Sequence, residues 1–203
     1  MTLRKVQLVV SNQVVGGQFY HATSFPHRDR DKNGIWDIYN VPVYYLYIKG
    51  SDEKGRRISK AWRVLRFMPY WNDPSDPNPH YLQEGWVVAG LCSHPNQPVA
   101  QYKRFYRVHS APSKYDGAIV IKNSFYIHAG PSSIPIAPEG VYGSAGCIEV
   151  IGNFYEFKNQ IKQLSGSQKT ADDAIADLVK QKKLYVEIEH AVPPNLINNL
   201  IEH

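Results

Sequence analysis

Cysteine is scarce in this chain: Cys92 and Cys147 are the only two among 203 residues. Two cysteines make no disulfide framework; at most they pair once. Neither has a second Cys or a His at zinc-finger spacing, and His94 beside Cys92 is isolated, so neither a metal site nor another cofactor is expected. Long apolar runs are missing too, and with them any span of a membrane. The opening "MTLRKVQLVVSNQVV" carries basic and apolar residues, but its apolar run is too short and too broken for a secretory signal. Export by another route, loss of a presequence and a life inside the cell all stay open. Charge of one sign is not concentrated. The net +5 is spread over small clusters at Arg28–Arg30, Lys54–Arg57 and Lys180–Lys183, with no basic stripe interleaved with aromatics. Nucleic acid is therefore not an expected partner. A mildly basic surface suits plain solvation, or an anionic polymer. No internal repeat or low-complexity tract divides the chain.

Helix signals are also missing from the first three quarters, which read as strands and turns. "KVQLVV" alternates, and "VPVYYLYIKG", "AWRVLRFMPYW", "QEGWVVAGL" and "KRFYRVHSA" are aromatic and β-branched. "GAIVIKNSFYIHAG" reads as a hairpin turning at Lys122-Asn123. "NDPSDPNPH", residues 72–80, holds three prolines and reads as a loop too short to link domains. Two helices are expected late in the chain. Asn153 caps the first with Glu156 at the capping-box position; Phe154, Phe157, Ile161 and Leu164 share a face, and Gly166 ends it. Thr170 precedes the second, which has acids in its first turn and lysines in its last, as the helix dipole prefers. "LYVEIEHA" returns to a strand. The expected class is α+β, mainly β, in a single domain over 1–203.

Chemistry concentrates in "IHAGPSSIPIAPEGVYGSAGCIEVIG", residues 127–152. A free thiol has a pKa of about 8.5, so a nucleophilic cysteine needs an imidazole within hydrogen-bond reach. His128 ends a predicted strand, where a fold can hold it still. Cys147 follows the small residues Ser144, Ala145 and Gly146, which let a substrate approach the backbone and leave N–H groups to face a developing oxyanion. By residue type alone, a buried Cys and an unrelated surface His would look the same.

The spacing resembles the catalytic domain of the L,D-transpeptidase, or YkuD-like, family. Its pattern is a His, 14 to 17 residues, then Ser or Thr, His, Gly, Cys, an apolar residue, and Asn or Arg. Here fifteen residues separate His128 from Ser144-Ala145-Gly146-Cys147-Ile148-Glu149. The clear match covers about residues 117–165, including the helix that follows the cysteine. The resemblance implies an L,D-transpeptidase-like β-sandwich with the two helices in the C-terminal quarter. It also implies acyl transfer on a peptidoglycan stem peptide. His128 would take the proton of Cys147, and the thiolate would attack a peptide carbonyl. N–H groups of Gly146 and Cys147 would hold the oxyanion. The thioester would pass to an amine or to water, making the chain a transferase or a hydrolase. The Ala129 carbonyl would orient the imidazole and Ser144 would support the turn. Tyr126, Tyr142 and Trp71 are candidates to line a substrate groove, although such aromatics are more often core.

Two positions leave the pattern: Ala145 replaces its second His, and Glu149 replaces its Asn or Arg. Glu149 would repel a substrate carboxylate if it faces the site, or be solvated if it faces away. The departures motivate a reading from another class, a non-catalytic wall-binding module with a degenerate site. A papain-like hydrolase ranks last, because there the Cys normally precedes its His. With no secretory signal expected, the enzyme would be made in the cytoplasm and act in the periplasm or wall. One version is an effector delivered by a dedicated secretion system, with a secretion or immunity partner that the residues do not identify.

Other signals are weaker. "DRDKNGIWD" spaces its oxygens like the start of a calcium loop, but its twelfth position is Asn40, and a plain Asn-Gly turn is favoured. His21, His27, His80, His94 and His109 are scattered and read as surface or hydrogen-bonded residues. Cys92 reads as buried filler.

Overall fold

The computed structural model describes residues 2–26, 28–29, 32–72, 85–108, 113–134, 146–196 and 200–201. Its strands are β1 (Val6–Thr23), β2 (Ile38–Ser51), β3 (Arg57–Leu65), β4 (Phe67–Asn72), β5 (Gly85–Gly90), β6 (His94–Pro98), β7 (Gln101–Lys103), β8 (Ala118–Lys122), β9 (Phe125–Ala129), β10 (Ile148–Ile151), β11 (Leu184–Ile188) and β12 (Leu200–Ile201). The helices are α1 (Phe154–Ser165) and α2 (Ala171–Lys180). The fold is α+β and mainly β, as the residue patterns predict.

One large sheet runs β6-β11-β1-β2-β3-β10-β9-β8-β7, with β12 added to β2; β4 and β5 pair separately. Alternation sorts its side chains onto two faces. Val6, Leu8 and Val10, Leu46 and Ile48, Val64, Ile119 and Ile121, Ile127, and Ile148 and Val150 point to one side. There they meet Phe157, Ile161, Ile175 and Leu178 of the helices. α2 touches both β7 and β11, near opposite ends of the strand order, so the sheet wraps around the helix pair. The other face holds two smaller clusters, one around Tyr20, Val41, Val43, Leu65 and Ile151, the other around Ala118, Val120 and Tyr126.

Helix boundaries follow their caps. The Asn153 side chain accepts the Glu156 N–H at 3.2 Å, and Gly166 closes α1 in the left-handed region. Thr170 Oγ1 accepts the Asp173 N–H at 3.2 Å. Lys158, almost fully buried on α1, donates to Asp172 Oδ1 at 2.7 Å. Tyr102 of β7 donates to the same oxygen, which ties both helices to the edge of the sheet.

Four local expectations need correction. "AWRVLRFMPYW" is not one strand but two, β3 and β4, broken at Arg66. Arg66 is fully buried, and its guanidinium donates to the carbonyls of Ser11, Leu91, Cys92 and Glu189. A side chain that collects carbonyls from the bulged part of β1, the end of β5 and the end of β11 forces the chain to change sheets there. Of the described residues of "KRFYRVHSA", only Lys103 joins a strand. Its aromatics pack on rings instead, Phe105 on Tyr115 and Tyr106 on Tyr126. The hairpin turns one residue later than expected: Lys122 pairs with Phe125, and Asn123 takes the positive φ of 51°. Of the surface and hydrogen-bonded readings of His94, only the surface one is overturned: the residue is buried where β6 pairs with β11, and burial lowers its pKa.

The expected turn at Asn33-Gly34 is present, with the Asp29 carboxylate accepting the N–H groups of both residues. Residues 73–80 of the proline-rich loop, with His27, His80 and His109, lie outside the described residues. Among the described residues, no helix is long and apolar enough to cross a membrane.

Candidate active site

His128 and Cys147 enter the same face of the sheet from neighbouring strands. β9 and β10 run parallel, with Ile127 opposite Ile148, His128 opposite Glu149 and Ala129 opposite Val150. Continuing the register by one residue sets Cys147 opposite Tyr126, against whose cluster it packs. Tyr126, His128, Cys147 and Glu149 therefore share the face turned away from the helices. Cys147 and His128 are diagonal neighbours, about 8 Å apart between Cα atoms from strand spacing and rise.

His128 is 0% exposed. Its Nδ1 lies 2.8 Å from the Ala129 carbonyl oxygen. A carbonyl only accepts, so Nδ1 carries the proton, and in the neutral ring Nε2 is the basic nitrogen. This is the contact that the resemblance assigns to Ala129. Nε2 lies 4.0 Å from Glu149 Oε1.

Glu149 is 0% exposed. Its solvated alternative is thereby overturned: in β10 it shares the face of Cys147, two residues away, and stands directly across from His128. The Glu149 charge disfavours a thiolate at Cys147.

Cys147 is half-buried, and its thiol donates to the Ser124 carbonyl across 3.9 Å. Burial pushes the thiol up to about 12, the Glu149 charge adds to the rise, and the Tyr126 N–H pulls it partly back. The unliganded cysteine is thus a thiol. Nucleophilic attack from it needs the base to remove the proton as the substrate arrives.

Gly146 has φ 126°, in the region that favours glycine, and a Cβ there would lie 2.0 Å from Phe125 Cε1. The small residue before Cys147 has a packing reason that the sequence alone did not suggest. Gly130 has another: its N–H reaches the Val150 carbonyl at 2.9 Å, so close that a Cβ would meet the Glu149 side chain. That approach extends the β9–β10 ladder beyond His128.

The other expected site residues divide. Tyr126 is buried, and its hydroxyl meets Tyr106 and Lys103, each at 3.3 Å. Trp71 lies on the separate β4–β5 pair, its backbone N–H donating to the Phe25 carbonyl at 2.7 Å, and no described contact brings it to Cys147. Ser144, Ala145 and Tyr142 lie outside the described residues. Cys92 and Cys147 are both free thiols. Cys92 is half-buried against the main core rather than fully buried. Among the described residues, no group of three His, Cys, Asp or Glu side chains could hold a metal ion.

Sequence reasoning missed the inward aim of Glu149 and the presence of Lys103 and Tyr106. Strand alternation signals the first, because residues 147 and 149 must share a face. Nothing local signals the others, which arrive through the β7–β8 pairing. Comparison with protein-family models, with curated proteins and with solved structures finds no match to this chain.

Proposed function

We propose that this chain is a cysteine acyltransferase or peptidase of the L,D-transpeptidase type, acting on peptidoglycan stem peptides. One observation carries the reading. An imidazole held by Nδ1 on the Ala129 carbonyl stands diagonal to Cys147 on the same face of the sheet. This supplies the base, its tautomer and its neighbour, the three things a cysteine nucleophile needs. The motif spacing supports the same reading, as does the helix that begins at Phe154 soon after the cysteine.

In this proposal the thiol turns from the Ser124 carbonyl toward Nε2 when a peptide carbonyl arrives. His128 takes the proton, sulfur attacks, and N–H groups of Gly146 and Cys147 receive the oxyanion. The imidazolium then protonates the leaving amine, and an incoming amine or water resolves the thioester. The large sheet wrapped on two helices is the counterpart proposed for the family's β-sandwich. The proposed place of action is the periplasm or wall, reached by a route other than the general secretory one.

A second reading has its own support. The high pKa of Cys147 and the buried Glu149 beside it suit a wall-binding module that has lost turnover. Incubation with cell-wall fragments and mass analysis of the products separates the two. New cross-links or shortened stems, absent with Cys147→Ala, support the enzyme. Retention on the wall without product supports the module.

A further inference from the structure

Far from Cys147, the face of the sheet turned away from the helices carries a cluster of positive charge, and alternation builds it. Val6 and Ile48 point to the helices. Gly50 lies so tight on α1 that a Cβ would meet Leu164 Cβ at 3.2 Å. Lys5, Lys49 and Ser51 must then project from the opposite face. Ser51 pairs with Arg57 on β3, and Gln7 pairs with Lys49. Continuing the second register by two residues sets Lys5 opposite Ser51. Ser51 therefore stands between Lys5 and Arg57 in one cross-strand row, with Lys49 two residues before it on β2. Lys49 is diagonal to both other cations, about 8 Å away between Cα atoms. A half-buried hydroxyl is thus ringed by three exposed cations.

These residues line an open cleft of about 430 Å³ that has no carboxylate in its lining. Among the described residues, none of the three cations has a carboxylate within ion-pair distance. The acids nearby are answered locally. Glu187 accepts the Gln7 amide at 2.9 Å. In the turn over 52–56, Asp52 and Glu53 are balanced by Lys54 and Arg56, and Asp52 accepts Arg56 Nε at 2.6 Å. Lys5 and Lys49 rest on rings instead, 3.7 Å from the centre of Tyr185 and 5.6 Å from that of Tyr47. Such contacts are weak at exposed sites. Like charges at neighbouring positions of a sheet repel, and an anion among them turns that repulsion into attraction.

The arrangement also selects the anion. A planar carboxylate is matched by one guanidinium fork. Three cations around a hydroxyl bring donors from three directions, which suits a tetrahedral group with three acceptor oxygens and up to two charges. Nucleic acid fits poorly, because bases need free rings to stack on: Lys5 covers Tyr185, and Tyr47 stacks on Tyr45. We infer that Lys5, Lys49, Ser51 and Arg57 form a phosphoryl-binding site, which takes the phosphate group of a sugar or polyol phosphate ester. The same donors serve a terminal monoester and a diester within a chain. Arg57 lies eight residues along β3 from Leu65, the partner of Glu149, about 27 Å of strand. The site is therefore separate from the Cys147 groove and stands whether or not that cysteine turns over.

The test follows backbone amides of the full chain by NMR during titration with inorganic phosphate, glycerol 3-phosphate, a glycerol phosphodiester and acetate. Ionic strength is held constant, and the pH is kept above the second phosphate pKa of about 6. The phosphate probes should shift the Gly50, Ser51 and Arg57 amides saturably, and acetate should bind at least about tenfold more weakly. Lys49→Gln and Arg57→Gln should each weaken glycerol 3-phosphate about tenfold, the usual worth of a hydrogen bond to a charged group. Ser51→Ala should weaken it less. Lys60 pairs with Ile48 and so belongs to the helix side of the same strand; Lys60→Gln should change binding by less than about twofold, since solvent and salt screen it. A preference for the monoester assigns the site to a terminal phosphate, and equal or tighter binding of the diester assigns it to a chain; both support the inference. No saturation at tens of millimolar phosphate, acetate binding as tightly as phosphate, shifts scattered over every lysine-bearing surface, or an equal loss in Lys60→Gln and Lys49→Gln overturns it.

Discussion

Replacing Glu149 with Gln should make Cys147 more reactive, and the structure sets the scale. With its pKa pushed up to about 12, the thiol is ionised to about 3 parts in 100,000 at pH 7.5; a free thiol near 8.5 reaches about 9%. Cys147 in the unliganded protein should therefore be alkylated about a thousandfold more slowly than a free-thiol standard. Residues 147 and 149 are two apart along a strand, about 6.6 Å. A unit charge at that distance costs about 2.5 kcal/mol at an effective dielectric of about 20, at most about two pKa units. Burial is the larger cause of the rise, so the variant's thiol should stay well above its ordinary range. The expected gain is between about tenfold and a hundredfold at pH 7.5. The assay is pseudo-first-order alkylation by iodoacetamide from pH 6 to 10, in a Cys92→Ser background, with mass mapping of the label. Well below each protein's thiol pKa, the logarithm of the rate should rise with unit slope, displaced between the two by the pKa difference. A wild-type Cys147 that already labels like a free thiol near neutrality would refute the burial argument. An unchanged rate in Glu149→Gln would mean that the carboxylate carries no charge felt by the sulfur.

Cys147→Ala should abolish turnover of stem peptide and His128→Ala should cut it by two to three orders of magnitude, the usual worth of a positioned base, with Cys92→Ser near wild type; loss of activity in Cys92→Ser alone would move the nucleophile. Arg66→Met strips the donor from four carbonyls and should lower the free energy of unfolding in urea by about 3–5 kcal/mol; a loss under about 1 kcal/mol would mean that water takes over the guanidinium's role. Gly146→Ala forces a methyl onto the Phe125 ring at a strained φ and should cost about 1–3 kcal/mol, of which the added Phe125→Ala change recovers part in a double-mutant cycle; strict additivity would deny the contact.

What the sequence made legible was what chain-local physics encodes. The helices were readable because caps, periodicity and a C-terminal glycine all lie within a few residues of one another. The hairpin was readable to within one residue, because alternation fixes its strands while only the backbone decides whether Lys122 or Asn123 begins the turn. The break at Arg66 was not readable. Its cause is a guanidinium satisfied by carbonyls from residues 11, 91, 92 and 189, and no window of sequence contains them. "KRFYRVHSA" misled for a related reason. Aromatic residues favour strands because they pack on pleated neighbours, but here Phe105 and Tyr106 found rings to pack on without joining a ladder.

The site divides along the same line. The spacing of His128 and Cys147 is a chain-local fact, and so is the shared face of residues 147 and 149. The charges around the pair depend on which strands become neighbours. In the family pattern, the position of Glu149 holds a cation or an amide; on this chain it holds a buried carboxyl group beside His128. A cation stands three strands away in the same cross-strand row, about 14 Å from Glu149 between Cα atoms, at Lys103. The described residues thus place Glu149 beside His128 and Lys103 at the β7 edge of the same row. In the proposed reaction, the raised thiol pKa leaves proton transfer to His128 until a carbonyl is in place for the sulfur to attack.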